Sequence, residues 1–282
     1  MSTEPPIPTA ATVAVAAQCG SGLTLTAVTD RRGSVVWKAV GRRGAAALKV
    51  GRGPGYPITA REAAALRALK VDYLPGGGVT ADAAWLLTAW LSGPTTYELF
   101  APVRASSGAA GLEQARTAAV EVCAAVAELH AAGWVHADLQ PSHALHTATG
   151  VKLIDLAWAW RCGWDQGEDF NGGLTHLLAP ELAAAVLTGD KPVKVTPAAD
   201  VYALAATLRT CTTGTWPLDY EAAGIDPKAC TPHQLREHIA TGTIPMAASR
   251  PWPDLQEALQ AVLLAGPAAR PTSEELAKVL AA

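Results

Sequence analysis

The chain has 282 residues, of which 50% are hydrophobic and 17% charged, and its net charge is −3. That length holds one large domain or two lobes with separate cores, and the composition excludes a disordered chain. There is no basic excess for nucleic acid and no polybasic block for a membrane surface.

Five scattered cysteines, Cys19, Cys123, Cys162, Cys211 and Cys230, form no CxxC pair. Their odd number argues against a disulfide framework or a zinc ribbon and suits a reducing cytoplasm, where we expect the protein to work. The opening "MSTEPPIPTAAT" has neither a basic nor an apolar block, so residues 1–19 read as a flexible tail and not a signal peptide. No apolar run approaches the roughly 18 residues of a membrane span.

From 20 to 50, "LTLTAVTD", "GSVVWKAV" and "AAALKV" are short apolar or β-branched runs separated by "RRG" and "GRRG". They predict three antiparallel strands in a meander. "TAREAAALRALK" predicts a helix, with Thr59 as its cap and Glu62 completing a capping box. "VDYLPGGG" and "AAWLLTAWL" predict two more strands around a glycine-rich turn. "SGPT" at 92–95 marks a junction, after which the texture becomes helical. "LEQARTAAVEVCAAVAELHAAG" predicts a long helix ended by Gly133. "HALHTA" and "VKLIDLA" read as two short strands joined by "ATG", and "ADVYALAATLRTCTTG" as a buried helix. From 254 onward, two helices flank a "GPAARPT" turn. Charged loop motifs at the junction of a small β part and a larger helical part suit an enzyme.

Several residues recur in a fixed order: Lys49 ending "AALK", Glu62 on the next helix, "HADLQPSH" after the long helix, "IDLA" after a strand, "APE" at 179–181, "ADVYALAA" with Asp200, and "ARPT" with Arg270. Singly each is weak: a lone strand lysine is usually solvated, and a lone glutamate on an alanine-rich helix is usually exposed. In this order the sequence resembles the eukaryotic-like Ser/Thr protein kinase family, as found in bacteria, over roughly residues 24–282. The resemblance implies an α+β, bilobal protein kinase-like fold, with a β-rich N-lobe over 20–92 and a helical C-lobe over 93–282. It implies ATP-dependent transfer of a phosphoryl group to Ser/Thr hydroxyls of a protein or peptide, with ATP and Mg²⁺, or Mn²⁺, as cofactors.

Such chemistry needs little covalent work from the protein. The triphosphate must be held, its charge neutralised, and the acceptor hydroxyl aimed. By resemblance Lys49 holds the phosphates, Glu62 orients Lys49, Asp138 takes or orients the acceptor proton, and Asp155 holds metal. Gly33, Val35, Thr88 and Leu91 are the further ATP-binding candidates. His136 packs behind the site, Glu181 and Arg270 form a buried ion pair, and Asp200 braces the catalytic loop.

Four positions depart from the family. "VTDRRGSV" keeps only Gly33 and Val35 of the glycine-rich loop; Asp30, Arg31 and Arg32 make it either a plain hairpin tip or an arginine-assisted phosphate clamp. Gln140 stands where a lysine is usual, removing a charge near the γ-phosphate. His143 stands where an asparagine binds the second metal; it either ligates, better with Mn²⁺ than with Mg²⁺, or hydrogen-bonds Asp138. Ala157 replaces the glycine after Asp155 and restricts the backbone. The run with Trp158, Trp160 and Trp164 reads as a packed segment or a binding face, and Thr175 as an acceptor-facing or supporting residue rather than a phosphosite.

Two other readings stand beside this one. "HADLQPSH" and "IDLAW" also look like motifs of small-molecule kinases of the aminoglycoside phosphotransferase type, though "APE", "ADVYALAA" and "ARPT" favour the protein kinases. A pseudokinase scaffold is favoured by the eroded glycine loop and Gln140. Degenerate kinases of alanine-rich sequences also resemble the phosphotransferase components of lanthipeptide biosynthesis, which implies a precursor-peptide substrate and a partner enzyme.

Overall fold

The computed structural model describes residues 6–105, 108–164, 170–248 and 252–282. The architecture is α+β, with an antiparallel sheet in the N-terminal part and helices in the C-terminal part. The chain divides into two compact units, residues 1–92 with 156–158, and residues 93–155 with 159–282.

The first unit is built on a five-stranded antiparallel sheet in the order β1-β2-β3-β5-β4. Its strands are β1 (Thr24–Arg31), β2 (Ser34–Gly41), β3 (Gly44–Arg52), β4 (Gly76–Val79) and β5 (Ala83–Ala89). Arg32 and Gly33, both at positive φ, form the two-residue turn between β1 and β2. Such a turn matches the twist of its strands. The segment is therefore a tight hairpin, with Asp30 and Arg31 inside β1.

Side chains alternate across the sheet, and directly paired residues share a face. One face carries Val35, Trp37 and Ala39 of β2, Ala46, Leu48 and Val50 of β3, and Trp85 and Leu87 of β5. Helix α1 (Thr9–Cys19) covers it, burying Ala11, Val15 and Cys19, which recur every fourth residue. This corrects the expected flexible tail over 1–19; residues 1–5 lie outside the described residues. The cause is the apolar stripe, hidden in the sequence by the surrounding alanines. Arg43 donates to the carbonyls of Ala16 and Ala17 and satisfies the end of the helix.

Helix α2 (Gly55–Ala68) follows β3 after only Gly53 and Pro54. It starts four residues before Thr59, which corrects the expected cap: Thr59 is a fully buried residue of the second turn. The glycine run expected as a turn is strand β4 itself. Gly77 lets α2 approach, since a Cβ there would stand 3.3 Å from that of Ala63, and Gly76 and Gly78 face the Trp85 ring. The short 3₁₀ turn Leu156–Trp158 also packs on α2, with the Arg61 guanidinium 5.6 Å from the Trp158 ring.

The second unit is helical. Short α3 (Thr96–Leu99) and α4 (Ala101–Arg104) lead to the long α5 (Ala109–Ala131), which stops before Gly133 at φ +76°. The hairpin β6 (Ala144–Thr147) and β7 (Gly150–Leu153) follows, then α6 (Pro180–Thr188) and α7 (Pro197–Thr213). Thr196 caps α7, Pro197 pre-sets its first turn, and Gly214 ends it in the left-handed region. From Ala199 to Thr212 nearly every residue of α7 is buried, so this helix is the axis of the unit's core. The remaining helices are α8 (Pro232–Ala240), α9 (Pro253–Leu264) and α10 (Ser273–Ala281), with α10 packed along α5. No helix among the described residues is long and apolar enough to cross a membrane.

Candidate active site

The first unit contributes an ion pair. Lys49 Nζ lies 2.6 Å from Glu62 Oε2, and the two side chains are 17% and 7% exposed. Lys49 pairs with Val36 on β2 and Leu86 on β5, so these three share the sheet face opposite α1. Two residues along, Ala47 pairs with Thr88, which brings Thr88 onto the same face as Lys49. Leu91 is half-buried just beyond β5. Val35 does not join them: it packs under α1 on the opposite face, and Val36 takes the Lys49 side. This corrects the expectation for Val35, and the reason is the period of two along β2. Gly33 sits at the hairpin turn with its carbonyl accepting from the Arg52 amide at 2.8 Å.

In the second unit, the loop after α5 is held from behind. Asp200, at the start of α7, accepts hydrogen bonds from the His136 amide at 2.6 Å, the Ala137 amide at 2.9 Å and His130 Nε2 at 3.1 Å. His136 is fully buried; its Nε2 donates to the Ile154 carbonyl at 3.1 Å and its Nδ1 accepts from the Asp138 amide. Burial, with the neighbouring His143, holds its pKa below the usual histidine value, so His136 is a neutral packing residue at pH 7. Ala137 at φ +66° and Asp155 at φ +58° are strained for residues with a Cβ. Such strain persists only where the surroundings over-determine it, and it gathers at functional sites.

Asp138 Oδ1 accepts from Gln140 Nε2 at 2.8 Å and from the Leu174 amide at 3.0 Å. Among the described residues no hydrogen bond reaches its Oδ2. Burial pushes the carboxyl above the usual range, opposed by His143 and the Gln140 amide. Gly173 makes the approach of Leu174 possible, because a Cβ there would stand 2.6 Å from Asp138 Oδ1. The contribution of Gly173 and Leu174 was missed in the sequence; the "GG" before "LTHLLAPE" was its only signal.

His143 donates from Nδ1 to the backbone carbonyl of Asp138 at 2.8 Å. Its partner is thus the Asp138 backbone and not the carboxylate. In a neutral imidazole that bond puts the lone pair on Nε2, which lies 3.6 Å from Asp155 Oδ2. The separation exceeds a hydrogen bond. No group of three or more His, Cys, Asp or Glu side chains suited to a metal occurs among the described residues. One imidazole nitrogen and one carboxylate oxygen are a donor pair whose chemistry suits a divalent cation such as Mn²⁺ or Mg²⁺.

Downstream, Trp160 pairs its backbone with Val135, and its indole N–H donates to the Trp164 carbonyl at 2.9 Å. Trp164 meets Trp134 edge-on at 5.0 Å, with the Arg161 guanidinium over both rings. Two of the three tryptophans are thus packing residues of the second unit, while Trp158 belongs to the first. Thr175 opens a 3₁₀ turn, and the next residue, His176, stacks on Trp216 at 4.4 Å and shares a 2.8 Å hydrogen bond with the Tyr220 hydroxyl. Glu181 and Arg270 form a bidentate pair, and Arg270 also donates to the Ala198 carbonyl at 3.0 Å.

The protein kinase domain family matches residues 83–279. The chain belongs to the protein kinase family. Among its relatives are a probable serine/threonine-protein kinase PkwA of Thermomonospora curvata, 29% identical over 70% of this chain, and the serine/threonine-protein kinase PknD of Mycobacterium tuberculosis, 36% identical over 44% of it. The matched stretches span 24% of the first relative's length and 19% of the second's. The family match begins in β5, so Gly33, Lys49 and Glu62 precede it. For them the kinase resemblance rests on strand order, register and the ion pair.

Proposed function

We propose that this kinase transfers the γ-phosphoryl group of ATP to Ser or Thr hydroxyls of a protein or peptide. The observation that carries the reading is the Asp138 carboxyl, fixed through Oδ1 by Gln140 and Leu174 with Oδ2 left to meet an acceptor hydroxyl. Lys49 holds the phosphates, and Glu62 keeps its ammonium in place. Asp138 Oδ2 accepts the hydrogen bond of the acceptor hydroxyl and aims its oxygen at phosphorus. The new O–P bond forms as the bond to the ADP oxygen breaks, and the hydroxyl proton passes to Asp138. His143 Nε2 and Asp155 Oδ2 would hold Mg²⁺ or Mn²⁺, which, when bound, would neutralise charge building on the phosphates. Gln140 supplies positioning but no charge near the γ-phosphate, so transition-state stabilisation is weaker than with a lysine there.

A precursor peptide of the lanthipeptide type falls within this acceptor class, with a partner enzyme then eliminating the phosphate. The test is transfer from γ-labelled ATP to a panel of Ser/Thr peptides, precursor-type peptides and aminoglycosides, with Mg²⁺ or Mn²⁺. Peptide labelling is expected. Labelling of aminoglycosides alone reassigns the acceptor. ATP-dependent thermal stabilisation without any transfer moves the protein to a binding scaffold.

A further inference from the structure

Three glycines meet at one corner of the first unit: Gly33 at the β1–β2 turn, Gly51 in β3 and Gly55 at the start of α2. The Arg52 amide donates to the Gly33 carbonyl at 2.8 Å. A Cβ on Gly33 would stand 2.6 Å from the Arg52 carbonyl oxygen and 2.8 Å from the Gly55 nitrogen. A Cβ on Gly55 would overlap the Gly33 carbonyl, and one on Gly51 would overlap the Gly55 carbonyl. Beside them, Ser34 Oγ and Thr59 Oγ1 share a 3.3 Å hydrogen bond. Thr59 is buried three residues before Glu62, hence on the same side of α2. The hairpin tip is thus seated, backbone to backbone, on the first turn of α2 at Gly55, and the Ser34–Thr59 hydrogen bond links it to the following turns, which carry Glu62.

We propose that the β1–β2 tip is a fixed strut that sets α2, and not a cover that closes over nucleotide, with Ser34, Thr59 and the three glycines as positioning residues for the Lys49–Glu62 pair. The kinetic side of this proposal rests on the ATP-dependent activity proposed above; the structural side does not.

Gly51 and Gly55 do not sit at positive φ, so alanine is forbidden there by space alone. At Gly55 alanine is also the better helix former, so a helix without the contact would gain or be unchanged. The strut predicts that Gly55→Ala lowers kcat about tenfold, and that in a Glu62→Gln background the same change costs less than about twofold, since both act through one pair. Equal losses in both backgrounds would overturn it. Thr59→Val, which removes only the hydroxyl, gives the same comparison if Gly55→Ala does not fold. Amide hydrogen exchange decides the matter without activity. A strut gives slow exchange at the Arg52 amide without nucleotide and no change on adding MgATP; a moving cover gives fast exchange that ATP slows. If the wild type transfers no phosphate, the activity proposal falls and the exchange result still decides the strut.

Discussion

Asp138 links stability and chemistry with opposite signs. Burial raises its carboxyl above the ordinary range. A group that binds protons more readily when folded stabilises the fold below its unfolded pKa, and that contribution is lost as pH rises through the folded value. In its proposed role as base, however, Asp138 must be ionised, so transfer is expected to decline on acidification from a higher pH than an ordinary aspartate would give. Asp138→Asn keeps Oδ1 as an acceptor for Gln140 and Leu174 and removes the buried charge. At pH 7 it is therefore expected to raise Tm, by about 2–4 °C for each kcal/mol gained; a lower Tm contradicts the reading of burial. At His143, Asn should move metal preference from Mn²⁺ toward Mg²⁺ in a nucleotide-binding assay, and an unchanged preference rejects ligation. Lys49, Asp138 and Asp155 stood out in the sequence because phosphoryl transfer restricts the residue types that could serve it, and their roles rest on the proposed function. Val35 was misread because its side depends on register, and a one-residue offset moves a side chain to the other face.

Among the elements, the strands of the first meander were legible from alternation and turn residues, and the long α5 from its length and its glycine stop. Helix α1 was not. Its stripe of Ala11, Val15 and Cys19 lies among other alanines and valines, and no capping side chain or charge marks its ends. Thr59 was mistaken for a cap because Glu62 follows it at the right spacing, although α2 begins at Gly55. The β4 glycines looked like a turn because their need, the closeness of α2 and Trp85, is tertiary. The packing of α1 makes a quantitative claim: Val15, 1% exposed, fills the core against the sheet. Val15→Ala should destabilise the first unit by about 1–3 kcal/mol in urea denaturation. No change in the transition would mean that α1 does not rest there.

Over the whole molecule, an antiparallel sheet followed by a helical unit was visible as a change of texture near residue 92, and the ordered motifs supplied the family. The assignment of Leu156–Trp158 to the first unit was not visible, because contacts and not chain order decide it. The second unit is tied by pairs distant in sequence, above all Glu181 with Arg270, whose side chain is 2% exposed. Glu181→Ala leaves that guanidinium buried beside Tyr202 without its carboxylate and should cost about 3–5 kcal/mol, read as a lower denaturation midpoint. Replacing both partners with apolar residues should cost less; an equal or larger loss would show that the pair is stabilising in its own right. The claim that this chain is an active kinase meets its most direct test in one measurement, phosphate transfer from γ-labelled ATP to Ser/Thr peptides by wild type and Asp138→Asn. Transfer that falls about 100-fold or more in the variant is predicted; no transfer by the wild type with either Mg²⁺ or Mn²⁺, or equal transfer by both proteins, contradicts it.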